Sequence, residues 1–401
     1  MQNKLDTLAK WLVIPIGFTL PISTAADNIL LYLALTIFLL GGDYRNKLRA
    51  ITGNPVAVAT LLLVCGLLLG GFYGDAAWND VQHYWRKYAP LLSIPLLILI
   101  FEDKRSREYA LTGFMLAMAL TLFLSCIIAT GLFANSGWFQ GTMDNPFVFK
   151  LHLTQNIFMA FFAYALALKA KNSVSPGWRI AYGAIALLAI YNVLFMVQGR
   201  TGYLVLAVLL MYFCFRLLHW KGLVLAVVVI LGVANVGYIA STTMRERLDL
   251  VKDETAVWKP GHGATSSSGL RMDYYTNSLK IIRDHPILGV GTGGFALAYT
   301  EKIKGTQSAP SNNPHNQYLL ITVQLGIVGL LLLLYLFVQQ WRTAAWLPTA
   351  FEQDMARGVL LTIMSGSLLN SLLLDHAEAM FFAWMSGVLF AGYRSVRRRE
   401  Q

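Results

Sequence analysis

Long apolar runs alternate with short polar breaks along almost the whole chain. "PVAVATLLLVCGLLLGGF" (55–72), "ALTGFMLAMALTLFLSCIIATGL" (110–132), "GLVLAVVVILGVANVGYIA" (222–240) and "NQYLLITVQLGIVGLLLLLYLFV" (316–338) are each long enough to cross about 30 Å of hydrocarbon as a helix. With the weaker runs included, the pattern predicts about twelve spans. They lie near 8–24, 26–41, 55–73, 89–101, 110–132, 154–169, 180–197, 203–219, 222–240, 316–338, 358–375 and 380–393. The run at 89–101 is short by itself and borrows a turn from the "HYWRKY" before it. The opening "MQNKLDTLAKWLVIPIGFTLPISTAA" has the basic start, apolar middle and small-residue end of a signal peptide. A second apolar run follows at once, so it is read as an uncleaved helical hairpin, with Pro15 and Pro21 tolerated as they are in membrane helices.

The predicted fold is therefore all-α: a polytopic membrane protein with one large hydrophilic excursion. Residues 1–240 carry spans one to nine, 241–315 form a loop or lid, and 316–401 carry spans ten to twelve and a basic tail. The loop divides into a charged amphipathic start, "TTMRERLDLVKDE" (242–254), a Gly/Ser stretch (261–269) and a helical piece, "LRMDYYTNSLKIIRDHP" (270–286). In the last piece Leu270, Tyr274, Leu279 and Ile282 recur near helical spacing, Ser266 to Ser268 are N-cap candidates and Pro286 is the stop. A smaller excursion, 133–150, falls on the same face.

Charge sets the orientation. Lys4, Lys10, Arg45, Lys47, Arg49, Lys104, Arg105, Arg107, Lys169, Lys171, Arg179, Arg216, Lys221, Arg342, Arg357 and the arginines of "RSVRRREQ" fall on one side. The opposite short loops carry only Arg86, Lys87, Lys150 and Arg200. Both termini are expected in the cytoplasm and the long loop outside. Composition agrees, with 56% apolar and 13% charged residues. The net charge of +11 is largely used for topology and for contact with anionic membrane lipids, so it does not point to nucleic acid. Cys65, Cys126 and Cys214 lie within apolar runs at spacings unlike a metal or disulfide framework.

Candidate chemistry collects at the outer face. "GVGTGGF" contains G-x-G-x-x-G at Gly289, Gly291 and Gly294 but lacks a βαβ context, and is read as a flexible turn. No D-x-D occurs in the outer loops and no H-E-x-x-H anywhere, so no metal site and no cofactor are expected, and a diphosphate would have to be met by arginine. Arg200, in "QGRTGYL", opposes the positive-inside bias; it is an anion ligand or a snorkelling interfacial residue. Arg271 follows a Ser-rich helix start suited to an anion, and is otherwise a solvated helix arginine. His315, fixed by Pro314 at the entry to the tenth span, is either a base near neutral pH or a polar interfacial residue. Asp375, His376 and Glu378 form a polar turn that orients His315, binds a sugar hydroxyl or simply closes a hairpin. Arg86 lies in an aromatic belt, "WNDVQHYWRKY", and Asn316 adjoins the histidine; with Asp375 these are the supporting or acceptor-binding candidates.

"QGRTGYL", "SGLRMDYY" followed by "DHPILGVGTGGF", and "PHNQYLLITVQLGIVGLL" occur in order, and together resemble the O-antigen ligase and polymerase superfamily of bacterial envelope glycosyltransferases. The resemblance implies transfer of polysaccharide from undecaprenyl diphosphate to an acceptor on the periplasmic face, without nucleotide sugar or metal. In a ligase the acceptor is the lipid A core; in a polymerase it is another repeat unit. The "H-N-Q-Y-L" after the proline and the single dominant loop look more like the ligase. The family's two functional arginines and its histidine would fall on Arg200, Arg271 and His315. A lipid-linked oligosaccharide transporter is the reading from another class, but transporters place charges near the bilayer centre, whereas the spans here are nearly uncharged. The oligomeric state stays open.

Overall fold

The computed structural model describes residues 2–133, 139–240, 245, 249, 258–259, 261–262 and 266–393. The described residues are helical with no strand; one isolated bridge joins Thr142 and Asn145. Most of the charged segment expected at 242–254, part of the Gly/Ser stretch and the basic tail lie outside them.

Among the described residues five helices are long and apolar enough to cross a membrane, or six if the pair Thr24–Leu40 and Tyr44–Thr52, bent by 117°, is one span. The twelve expected runs map onto this set unevenly. The longest helix, Arg200–Ala240, would measure about 60 Å if straight, roughly twice a hydrocarbon core. It breaks at His219 (φ 51°, ψ −134°), and a Cβ on Gly222 would stand 1.9 Å from the carbonyl oxygen of Cys214. Those residues would be about 12 Å apart on a straight helix, so the chain folds back there, between the two runs expected at 203–219 and 222–240. The run at 8–24 is not continuous: helix Gln2–Val13 ends before Pro15, which cannot donate a backbone hydrogen bond, and a short helix, Ile16–Thr19, follows. Helix Trp78–Ile100 does extend the short run at 89–101 through "HYWRKY". The run at 358–375 is displaced: helix Ala350–Gly366 ends nine residues early, and 367–375 is irregular.

The core forms around the last helix, His376–Phe390, every residue of which from Glu378 on is buried. Phe381 meets Phe158 (ring centroids 4.9 Å apart), Phe161 (5.1 Å) and Phe114 (5.8 Å), in tilted or edge-on pairs. Buried Trp384 donates its indole N–H to Val13 O at 3.2 Å, and Asn54 both caps helix Pro55–Leu69 and donates to Phe390 O at 3.2 Å. Such polar ties matter because lipid supplies no hydrophobic drive between helices. Helix His152–Asn172 is also enclosed, whereas Pro176–Met196 and the fold-back helix leave most of their apolar surface outside.

The glycine-rich stretch is not the flexible turn expected from sequence. Helix Gln317–Ala344 is broken at Gly326 (φ 62°, ψ −157°), and residues 286–291 fill the break. Ile327 N donates to Pro286 O (2.8 Å), while Val290 N and Gly291 N donate to Val323 O and Gln324 O (both 2.9 Å); Thr292 N reaches Gly70 O at 2.8 Å. Backbone groups freed inside a membrane domain must find protein partners, and this wedge supplies them. At Gly326 a Cβ would stand 2.2 Å from Ile287 C and O, and at Gly291, 2.1 Å from Tyr73 O, both at positive φ. Gly326→Ala and Gly291→Ala should each cost about 1–3 kcal/mol, read as a lowered melting temperature in detergent. Gly183→Ala, on a helix with nothing within 4 Å of the new carbon, should be neutral or stabilising by up to about 1 kcal/mol.

Candidate active site

One helix, Ser267–Asp284, gathers the candidate residues. Ser266 caps it, accepting from Gly269 N at 3.1 Å. Positions 268, 271, 274 and 275 share a face because residues three and four apart neighbour each other on a helix. Arg200 Nη1 donates to Ser268 Oγ at 3.0 Å. Arg271 follows one turn later, close enough for the Arg200 charge to disfavour its own. Tyr274 stacks on the His315 imidazole, with ring centroids 6.0 Å apart and planes 29° apart. The Tyr275 hydroxyl donates between His315 O (3.3 Å) and Leu368 O (3.0 Å). Behind this face, buried Asp273 accepts from Trp258 Nε1 (2.9 Å) and Ser308 Oγ (3.1 Å), tying the helix to the loop.

Arg200 opens its helix after a π-turn, Asn192–Met196, and the extended Val197. Asn156, buried on helix His152–Asn172, donates to the carbonyls freed there, those of Gly199 (3.1 Å), Val197 (3.2 Å) and Val193 (3.5 Å). Gln198 N donates to Asn145 Oδ1 at 2.8 Å, and Asn370 Nδ2 to Thr201 Oγ1 at 2.6 Å.

His315 has a left-handed backbone (φ 52°), a conformation that costs a non-glycine residue about 1–3 kcal/mol and persists only when its surroundings enforce it. They do: its N–H donates to Asn313 Oδ1 (2.9 Å), which also accepts from Ser371 Oγ (2.7 Å). Tyr84 OH donates to Asn312 O (2.7 Å), and Gln317 is held by Ser367 O, Leu373 N and the Tyr88 hydroxyl. Burial, and secondarily the Arg271 charge, lower the His315 pKa from 6.5, so the ring is neutral at neutral pH. Arg271 is itself pushed below the usual guanidinium value, first by burial, with the Tyr275 hydroxyl opposing the shift and Arg200 adding to it. Two cations and one neutral imidazole thus line a half-buried patch suited to an anion beside a proton acceptor.

The supporting candidates sit differently. Asn316 is used locally: its Oδ1 accepts from Leu319 N and its Nδ2 donates to Leu368 O, both at 3.0 Å. Asp375 stands at the N-cap of the last helix, its pKa raised by burial and partly restored by Lys87. Arg86 is exposed and its Nε donates to Gln82 O (3.3 Å); the adjacent Lys87 is the cation felt by Asp375. Tyr274 and Tyr275 were legible as neighbours of Arg271 at helical spacing, but their partner His315 was not. Asn156 carried no sequence signal. Among the described residues no group of three or more His, Cys, Asp or Glu side chains is placed to hold a metal ion.

A family model matches the part of the chain that carries these residues. The family model described as O-antigen ligase matches residues 183–334, the stretch that contains Arg200, Arg271 and His315, and it supports the resemblance to the O-antigen ligase superfamily of glycosyltransferase-like enzymes of lipopolysaccharide synthesis. The chain is also 22% identical over 258 residues to a protein of Haemophilus influenzae (strain ATCC 51907 / DSM 11121 / KW20 / Rd) described as an uncharacterized protein; the match spans 62% of each chain, so this chain covers less than two thirds of that relative.

The Arg200 turn depends on one side chain. Asn156→Ala strips three carbonyls of their donor and should destabilise the protein by about 1–3 kcal/mol, seen as an earlier thermal transition in detergent. An unchanged transition would show that the turn does not need it.

Proposed function

We propose that this protein is an O-antigen ligase: a twelve-span enzyme of the bacterial inner membrane, with both termini cytoplasmic. It transfers O-antigen polysaccharide from undecaprenyl diphosphate to the lipid A core at the periplasmic face. The observation that carries the reading is that one helix, Ser267–Asp284, joins Arg200 through Ser268, bears Arg271, and stacks Tyr274 on His315.

The chemistry needs no group beyond these. The acceptor sugar hydroxyl attacks the anomeric carbon as the bond from that carbon to the diphosphate oxygen breaks. His315 takes the hydroxyl proton, and the electron pair leaves with the diphosphate, whose growing charge Arg200 and Arg271 meet. The two forks bind adjacent phosphate oxygens and stay charged. Direct displacement of this kind inverts the anomeric centre. Lowering the imidazole pKa keeps the base free near neutral pH, and Arg271 serves both purposes, because the cation that holds the leaving group also disfavours imidazolium. The family-model match over 183–334 supports the lipopolysaccharide setting; the donor, the acceptor and the orientation are part of the proposal.

The test is transfer from purified lipid-linked donor to rough lipid acceptor by full-length protein. His315→Ala at normal membrane levels should lower the rate by about 10²–10⁴-fold, and Arg200→Ala or Arg271→Ala by about 10²–10³-fold with at most partial rescue by Lys. The base must be neutral, so activity should fall as pH drops through a value below 6.5, and that acid limb should move upward in Arg271→Gln. Full transfer by His315→Ala would refute the assignment. Elongated lipid-linked polymer without capped lipid A would make the enzyme a polymerase.

A further inference from the structure

Helix Ala350–Gly366 spans about 25 Å from the end next to Leu368, whose carbonyl shares the Tyr275 hydroxyl with His315, to an opposite end crowded with cations. There buried Asp354 pairs with Arg216 Nε at 2.8 Å and with Lys171 Nζ at 3.8 Å, and accepts from Tyr212 OH at 3.2 Å. Arg357 lies over the Trp341 ring, 5.2 Å from its centroid, with its Nε buried and unpartnered. Lys169 stands between Tyr182 (5.9 Å) and Phe351 (5.6 Å). Two of these four basic residues pair with the one carboxylate and the other two sit against aromatic rings, an excess of three positive charges. The next carboxylate, Glu352, is already taken by Arg107 at 3.2 Å.

Two features say what this excess is for. A guanidinium nitrogen withdrawn from water without a partner is costly, and a stacked tryptophan offsets only part of that cost. The cluster is also flanked by interfacial aromatics: Trp341 is 40% exposed, and Trp178, 62% exposed, stacks on Tyr182 at 5.6 Å. Exposed tryptophans of this kind mark headgroup depth. Basic pockets between membrane helices on the cytoplasmic side fit acidic headgroups, and arginine forks match phosphate oxygens.

We propose that Lys169, Lys171, Arg216 and Arg357 form a binding site for the phosphate of an acidic membrane lipid, at the end of the bundle opposite the candidate active site. The lipid phosphate would neutralise the excess and take up the unpartnered Arg357 nitrogen, while its chains lie beside Trp178 and Trp341. The site is independent of the ligase reading.

The full chain in detergent, titrated with phosphatidylglycerol, should show a saturable rise in melting temperature that neither phosphatidylcholine nor inorganic phosphate reproduces. In Lys169→Ala/Lys171→Ala, whose changes lie at the accessible end of a helix, the midpoint lipid concentration should rise about thirty-fold, at roughly 1 kcal/mol per basic residue. Arg216→Gln should weaken the effect in the same direction. An equal rise with phosphatidylcholine would overturn the proposal, as would an equal rise with inorganic phosphate, which would make this a site for free anions. An unchanged midpoint in the lysine variant would overturn it too.

Discussion

Backbone N–H and C=O groups that leave a helix inside a membrane domain must be paired by protein, and several of the places where that demand arises here adjoin the candidate site. They are the π-turn before Arg200, the strained entry to helix Gln317–Ala344 and the irregular 367–375; the break at Gly326 is a further one. Their free groups are met by a small set of amides and hydroxyls: Asn156 for the Arg200 turn, Asn313 and Tyr275 for His315, Gln317 for Ser367 and Leu373, and the glycine wedge for the Gly326 break. Irregular backbone is what lets side chains converge from separate helices, so the pairing of these groups and the placing of the site are one structural fact.

Helix Ser267–Asp284 completes the site. Its serine reaches Arg200, its arginine lies between the other two groups, and its two tyrosines hold the histidine ring and backbone. The electrostatics follow from this proximity. Burial, and after it the Arg271 charge, raise the cost of protonating His315, while the two arginines make an attractive place for a multiply charged anion. At the far end of the bundle the cations around Asp354 have a different character, flanked by interfacial tryptophans and suited to a headgroup.

Much of this was legible in the chain. Long apolar runs gave the spans at 110–132, 154–169, 180–197 and 316–338, because continuous hydrophobicity over that length has few other uses. The two arginines and the histidine stood out by their position at polar seams and by resemblance. The displaced helix Ala350–Gly366 was missed because "LLNSLLLD" is apolar enough to look helical, and its irregular path is fixed by long-range bonds from Thr201, Asn313 and Gln317. The glycine wedge was missed for the same reason, as its partners lie at 70–73 and 323–328. Arg86 was a supporting or acceptor-binding candidate by its aromatic neighbours; on helix Trp78–Ile100 its Nε donates to Gln82 O, and the cation felt by Asp375 is the adjacent Lys87.

The central claim is that Arg200 and Arg271 hold a lipid diphosphate within reach of His315. A structure of the full chain bound to undecaprenyl diphosphate tests it most directly. The account predicts the diphosphate between the two guanidinium groups, with the His315 imidazole facing its terminal phosphate; a diphosphate bound elsewhere, including at the cationic cluster around Asp354, would contradict it.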